Sequence, residues 1–106
     1  VAFVQEGELP RDENVAYILT CAVRECLTNA VRYAGATKLY ASFTETEGEV
    51  SVVVTNNGKT PEGEIVEGGG LSTLRRRIER TGGTMLIQSL PLFKLTVTVP
   101  MGKDGV

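Results

Sequence analysis

The chain has no histidine, only two cysteines and no surplus of basic charge. Each shortage removes a class of function. Without histidine, Ser–His and Cys–His nucleophilic schemes are excluded within these 106 residues. Eleven Lys and Arg against thirteen Asp and Glu leave a net charge of −2, so no basic excess is available to neutralise phosphates along a nucleic-acid duplex. Cys21 and Cys26 stand five apart on a predicted helix and point in different directions, which rules out a disulfide between them. Two thiols without histidine are also too few for a structural zinc site. Both read as plain small residues in a reducing compartment, with Cys26 buried. No apolar run reaches the roughly 18 residues that a membrane span needs. The opening Val-Ala-Phe-Val-Gln-Glu lacks the basic region and apolar stretch of a signal peptide. It begins without methionine and with a strand already under way, which reads as a fragment of a larger protein.

What is present suits one domain with one core, at 42% hydrophobic residues. Val1 to Val4 reads as a strand, followed by a turn over Gly7 to Pro10. Asp12 or Asn14 caps a long helix that runs to about Ala34 and stops at Gly35. Val15, Leu19, Val23, Cys26, Leu27, Ala30, Val31 and Ala34 share one broad arc of that helix, as expected for packing on a sheet. Lys38 to Thr46 and Glu49 to Thr55 form an antiparallel hairpin around Glu47-Gly48. Asn56 to Pro61 breaks the pattern, and Glu62 to Gly70 is a glycine-rich, acidic connection. A second helix covers Leu71 to about Thr81, with Leu71, Leu74 and Ile78 as its apolar stripe and Gly82-Gly83 as its end. Met85 to Ser89 and Lys94 to Val99 pair as the last two strands, and Met101 to Val106 is a frayed tail beyond a domain of residues 1–100. Arg75-Arg76-Arg77 reads as a mainly solvated helix face. The order predicts an α+β fold, a two-layer sandwich with helices on one face of a mixed, mostly antiparallel sheet.

The most informative stretch is Arg24 to Ala34. It sets Glu25, Asn29 and Arg32/Tyr33 at i, i+4 and i+7/i+8, along the border of the apolar arc. A carboxylate, an amide and a guanidinium in one stripe make little sense as core and good sense as a site for a metal ion and phosphate oxygens. An amide oxygen is a neutral, hard ligand that magnesium accepts when water and phosphates fill its other positions. Asn29 alone would read equally as an exposed or capping asparagine, and Tyr33 as a half-buried interface tyrosine. Further along, Gly68-Gly69-Gly70-Leu71 opens the second helix. Glycines there let backbone approach phosphates, and the helix N-terminus offers free amides. A glycine triplet also occurs in ordinary flexible loops.

Glu-x-x-x-Asn-x-x-Arg-Tyr at residues 25–33, Asn56-Asn57-Gly58 and Gly68-Gly69-Gly70-Leu71, in this order, resemble the ATP-binding domain of sensor histidine kinases, within the GHKL superfamily. The resemblance spans nearly the whole chain and implies a Bergerat-type sandwich. It further implies that Asn29 coordinates magnesium and that Glu25 polarises the acceptor histidine or organises the metal's water. Arg32 and Tyr33 would contact phosphates and ribose, Asn56 and Gly58 would meet adenine, and Gly68, Gly69, Gly70 and Leu71 would form the phosphate-cradling glycine box. Arg77 would support the fold and not act in catalysis.

The chain also departs from the family pattern. Asn56 stands where the first glycine box carries aspartate, Thr60 replaces its second glycine, and Leu92-Phe93 replaces a Gly-Thr pair. Only nine residues, Lys59 to Glu67, separate Gly58 from Gly68. That short lid resembles the kinases paired with helix-turn-helix response regulators.

The function implied is binding of ATP and Mg and transfer of the γ-phosphate to a histidine. This chain has none, so its own dimerisation and phosphoacceptor domain, outside the chain, would supply the acceptor. A cognate response regulator would be the second partner. The location would be cytoplasmic, with neither nucleic acid nor membrane contacted by this domain. Two alternatives stay open: a degenerate nucleotide-binding module acting as a docking scaffold, and an anti-sigma-factor-type serine kinase.

Overall fold

Alternating small-polar and β-branched residues give the middle of the chain its period-two burial. The computed structural model describes residues 2–59, 69–89 and 92–101. Strand β1 (Ala2–Glu6) is followed by helix α1 (Glu13–Asn29), a π-helical turn (Ala30–Ala34), β2 (Lys38–Thr46), β3 (Glu49–Asn56), helix α2 (Gly69–Arg80), β4 (Thr84–Gln88) and β5 (Lys94–Pro100). The five strands form one sheet in the order β1-β2-β3-β5-β4. Strands β1 and β2 pair in parallel across the α1 crossover, and every other pairing is antiparallel.

Leu39, Ala41 and Phe43 of β2, Val50, Val52 and Val54 of β3, and Leu95, Val97 and Val99 of β5 turn inward. Against them pack Val15, Ile18, Leu19, Ala22 and Cys26 of α1 and Leu71, Leu74 and Ile78 of α2, all in one cluster. The expected α+β sandwich with both helices over one mixed sheet is therefore the observed architecture. Asn56 continues the inward row of β3 and is itself buried, so the core ends on a polar residue at that edge of the sheet.

Several boundaries move, and the physics is local. Asp12 is the cap of α1; its carboxylate accepts from the Asn14 and Val15 amides at 2.9 and 3.1 Å. The helix does not continue as a regular α-helix to Ala34. Beyond Asn29 it widens into the π-helical turn, closed by left-handed Gly35 (φ 60°), whose amide reaches back to the Ala30 carbonyl. The wider turn changes the angular step per residue, so Val31, expected on the packed arc, is 53% exposed. Helix α2 begins at Gly69, two residues before the expected start, which brings Gly69 and Gly70 into its first turn. Met101, expected in the frayed tail, is partly buried against the core, and its amide donates to the Gly48 carbonyl at 2.9 Å. Residues 102–106 lie outside the described residues. Among the described residues no helix is long and apolar enough to cross a membrane.

Candidate functional site

The end of α1 carries the first group of candidate residues. Glu25 and Asn29 are half-buried, one turn apart, beside fully buried Cys26. The Cys26 thiol is pushed up to about 12, first by burial and then by the neighbouring Glu25 carboxylate. Arg32, expected on the same stripe, lies in the π-helical turn and is exposed. The side chain of Tyr33 is outside the described residues.

Helix α2 meets this group directly. Gly70, in the first turn, lies against the Glu25 carboxylate so closely that an added β-carbon would fall on both carboxylate oxygens. Leu71, the next residue, is buried in the core cluster and anchors the turn. Gly69 is the first helical residue; Gly68, like Thr60 of the lid, lies outside the described residues. Between the two helices runs a groove of about 350 Å³ lined by Cys21, Arg24, Glu25, Gly70, Thr73, Leu74 and Arg77. It meets the expected set only at Glu25 and Gly70.

The turn after β3 forms the other end. The Asn56 side-chain oxygen accepts from the Gly58 amide at 2.8 Å, an Asx turn that fixes the exit from the strand. The Lys59 amide then donates to the Ala34 carbonyl at 2.9 Å, and Gly58 packs on Ala34 with no room for a β-carbon. Asn57 has a purpose that its sequence position did not disclose. Its oxygen accepts from the Thr37 and Lys38 amides at 2.9 and 2.8 Å, and its nitrogen donates to the Thr37 hydroxyl at 2.8 Å. That side chain ties the turn to the start of β2. The α1 end is thus held to the β3 turn at Ala34 and to α2 at Glu25, with Asn29 between.

The arginine run divides by residue. Arg75 donates to the Met85 carbonyl at 2.9 Å and so ties α2 to β4. Arg77 lies 5.4 Å over the Tyr17 ring and donates to the Cys21 sulfur at 3.5 Å, a helix-to-helix contact. Arg76 is exposed. Phe93 is buried in the core cluster. Among the described residues no three His, Cys, Asp or Glu side chains cluster as a metal-binding group.

No protein-family model matches the chain. Among curated proteins it is similar to the sensor histidine kinase DesK of Bacillus subtilis, 29% identical over 106 aligned residues that cover 94% of this chain and 28% of that protein. It is also similar to the nitrate/nitrite sensor protein NarQ of Escherichia coli, 33% identical over 84 residues, covering 73% of this chain and 14% of the other. Among solved structures, the ATP binding domain of PrrB from Mycobacterium tuberculosis superposes with a TM-score of 0.68 at 27% identity, over 84% of this chain and 71% of that one. The chain belongs to the sensor histidine kinase family. A blue-light activated histidine kinase of Erythrobacter litoralis shares the fold, with a TM-score of 0.78 over 98% of this chain and 36% of that one, at 18% identity. The chain spans between 14% and 28% of the length of the curated relatives it matches.

Proposed function

We propose that this chain is the ATP-binding catalytic module of a sensor histidine kinase and that it transfers the γ-phosphate to a histidine on a dimerisation domain outside the chain. The observation that carries the reading is the double anchoring of the α1 end, to the β3 turn through Gly58 and to the α2 N-terminus through Gly70. The nine steps from Glu25 to Ala34, the last five in the wider π-helical turn, set the two anchors somewhat less far apart than the roughly 14 Å that a regular α-helix would give. In this reading the nucleotide lies between them, adenine toward Asn56 and Gly58, phosphates toward Gly69, Gly70 and Leu71.

The residues fit the group. Asn56 has a side-chain oxygen with a second lone pair beyond the one taken by the Gly58 amide. The first turn of α2 offers unpaired amides and the positive end of its dipole to phosphate oxygens, with Arg32 as an added cation. Asn29 and Glu25, one neutral and one charged oxygen donor a turn apart, suit a magnesium ion that keeps most of its ligands from water and phosphates. When bound, magnesium supplies neutralisation of the charge that develops on the transferring phosphoryl group. Glu25 accepts the hydrogen bond that orients the nucleophile or the metal's water. Tyr33 would be placed beside the ribose by the family resemblance. In this reading the short segment between Gly58 and Gly68 is that of the kinases whose response regulators carry helix-turn-helix domains, and the domain works in the cytoplasm.

The test is phosphotransfer in trans. The chain is mixed with γ-labelled ATP, magnesium and a separately produced histidine-containing dimerisation domain of the same protein. Label that appears on the acceptor and is acid-labile supports the reading. A chain that neither binds ATP nor transfers phosphate favours the docking-scaffold alternative.

A further inference from the structure

Glycine at position 70 has no backbone reason to be glycine. It lies inside helix α2, and it is not among the positive-φ glycines, which are Gly7, Gly35, Gly48 and Gly82. An alanine is therefore conformationally acceptable there and in an ordinary helix would be preferred. What an alanine there would meet is the Glu25 carboxylate, whose two oxygens and carbon occupy the space a β-carbon would take, so the methyl would turn that carboxylate out of its place.

We propose that Gly70 is a positioning residue, and that its missing side chain is the slot that seats the Glu25 carboxylate over the first turn of α2. The slot explains how Glu25 is held without a salt bridge. Among the described residues no cation pairs with it, although Arg24 and Arg77 line the same groove. The carboxylate instead lies at the end of α2 where the helix dipole favours negative charge. A glycine at 70 thereby sets the direction of a residue on another helix, in addition to any backbone contact with phosphate. The functional part of this inference rests on the kinase reading above; the packing part does not.

The two parts are tested with one set of variants: Gly70→Ala, Glu25→Ala, Glu25→Gln and the doubles that combine Gly70→Ala with each. Thermal melts decide the packing. With Glu25 present, the methyl displaces the carboxylate from the slot, and Gly70→Ala brings little or none of the usual gain of alanine over glycine in Tm. With Glu25→Ala the slot is empty, and Gly70→Ala raises Tm by roughly 2–6 °C, the ordinary gain of alanine over glycine at an unstrained position. A gain of the same size in both backgrounds overturns the proposal.

Phosphotransfer in trans at saturating ATP decides the positioning. Gly70→Ala lowers the rate about tenfold or more, to the level of Glu25→Gln, and the Gly70→Ala/Glu25→Gln double is no slower than either single. Multiplying losses, or a Gly70→Ala defect confined to ATP affinity, overturns it, since both mean that Gly70 acts on the nucleotide independently of Glu25. If the unsubstituted chain binds no ATP, the kinase reading fails while the difference between the two melts still decides the packing.

Discussion

Gly58 lies flush against Ala34: a β-carbon at position 58 would land on the Ala34 carbonyl and methyl, and the next amide, of Lys59, donates to that same carbonyl. This contact joins the end of the α1 region to the turn after β3. The obstacle at Gly58 is mostly backbone, which cannot swing aside as a flexible side chain would. Gly58→Ala is therefore expected to destabilise the fold by about 1–3 kcal/mol and to lower Tm by at least about 4 °C in thermal melts. An unchanged melt would mean that the turn relaxes away from Ala34 at no cost.

Asn56 gives a prediction with two opposed parts. Aspartate at this position keeps an acceptor for the Gly58 amide and offers adenine a charged acceptor, so Asn56→Asp is expected to tighten ATP binding about fivefold. The same change buries a charge at a site only 5% exposed, so stability in urea falls by about 1 kcal/mol or more. Weaker ATP binding in this variant would remove Asn56 from the adenine contact.

Three consecutive arginines are expected to behave differently because they meet different partners. Loss of the Arg75 hydrogen bond to the Met85 carbonyl costs about 1 kcal/mol in Arg75→Ala. The Arg75–Glu79 pair, at 4.0 Å on the helix surface, adds little to that. Arg76→Ala stays within about 0.5 kcal/mol of the parent. Denaturant titration of the two variants separates them, and equal values would contradict the α2–β4 tie.

The buried Cys26 thiol predicts a pH window. Its folded value of about 12 stands above the ordinary 9.0, so the neutral thiol is the folded form. Its contribution is fully present below pH 9 and is lost as pH rises from 9 toward 12, by up to about 1.4 kcal/mol per pH unit. Over that range the stability of the parent chain is expected to fall more steeply than that of Cys26→Ala. Parallel curves would contradict the assignment. Under native conditions a thiol reagent is expected to label half-exposed Cys21 and spare Cys26.

Much of this was legible in the sequence, for identifiable reasons. Period-two alternation in residues 38–56 and the Glu47-Gly48 turn announced the β2–β3 hairpin, and the Leu71, Leu74, Ile78 spacing announced the packed face of α2. The π-helical turn was not legible, because Ala30 to Ala34 fits a regular helix in composition; only Gly35 signalled an end. The early start of α2 was hidden because glycine is a poor helix former, and here the Leu71 anchor overrides that preference. Long-range ties escaped entirely: nothing local to Asn57 specifies Thr37 and Lys38 as partners, and nothing local to Gly70 specifies Glu25. The motif spacing marked which residues to watch, and only the packing of helix on helix shows which of them touch.

The most direct test of the account is calorimetric titration of ATP into this chain with and without magnesium, with GTP as control and Asn29→Ala alongside. The account predicts adenine-selective, magnesium-dependent binding, roughly in the micromolar to millimolar range. It also predicts loss of the magnesium dependence in Asn29→Ala with an unchanged thermal melt. No binding at millimolar ATP, or an Asn29→Ala variant that keeps the full magnesium response, would contradict it.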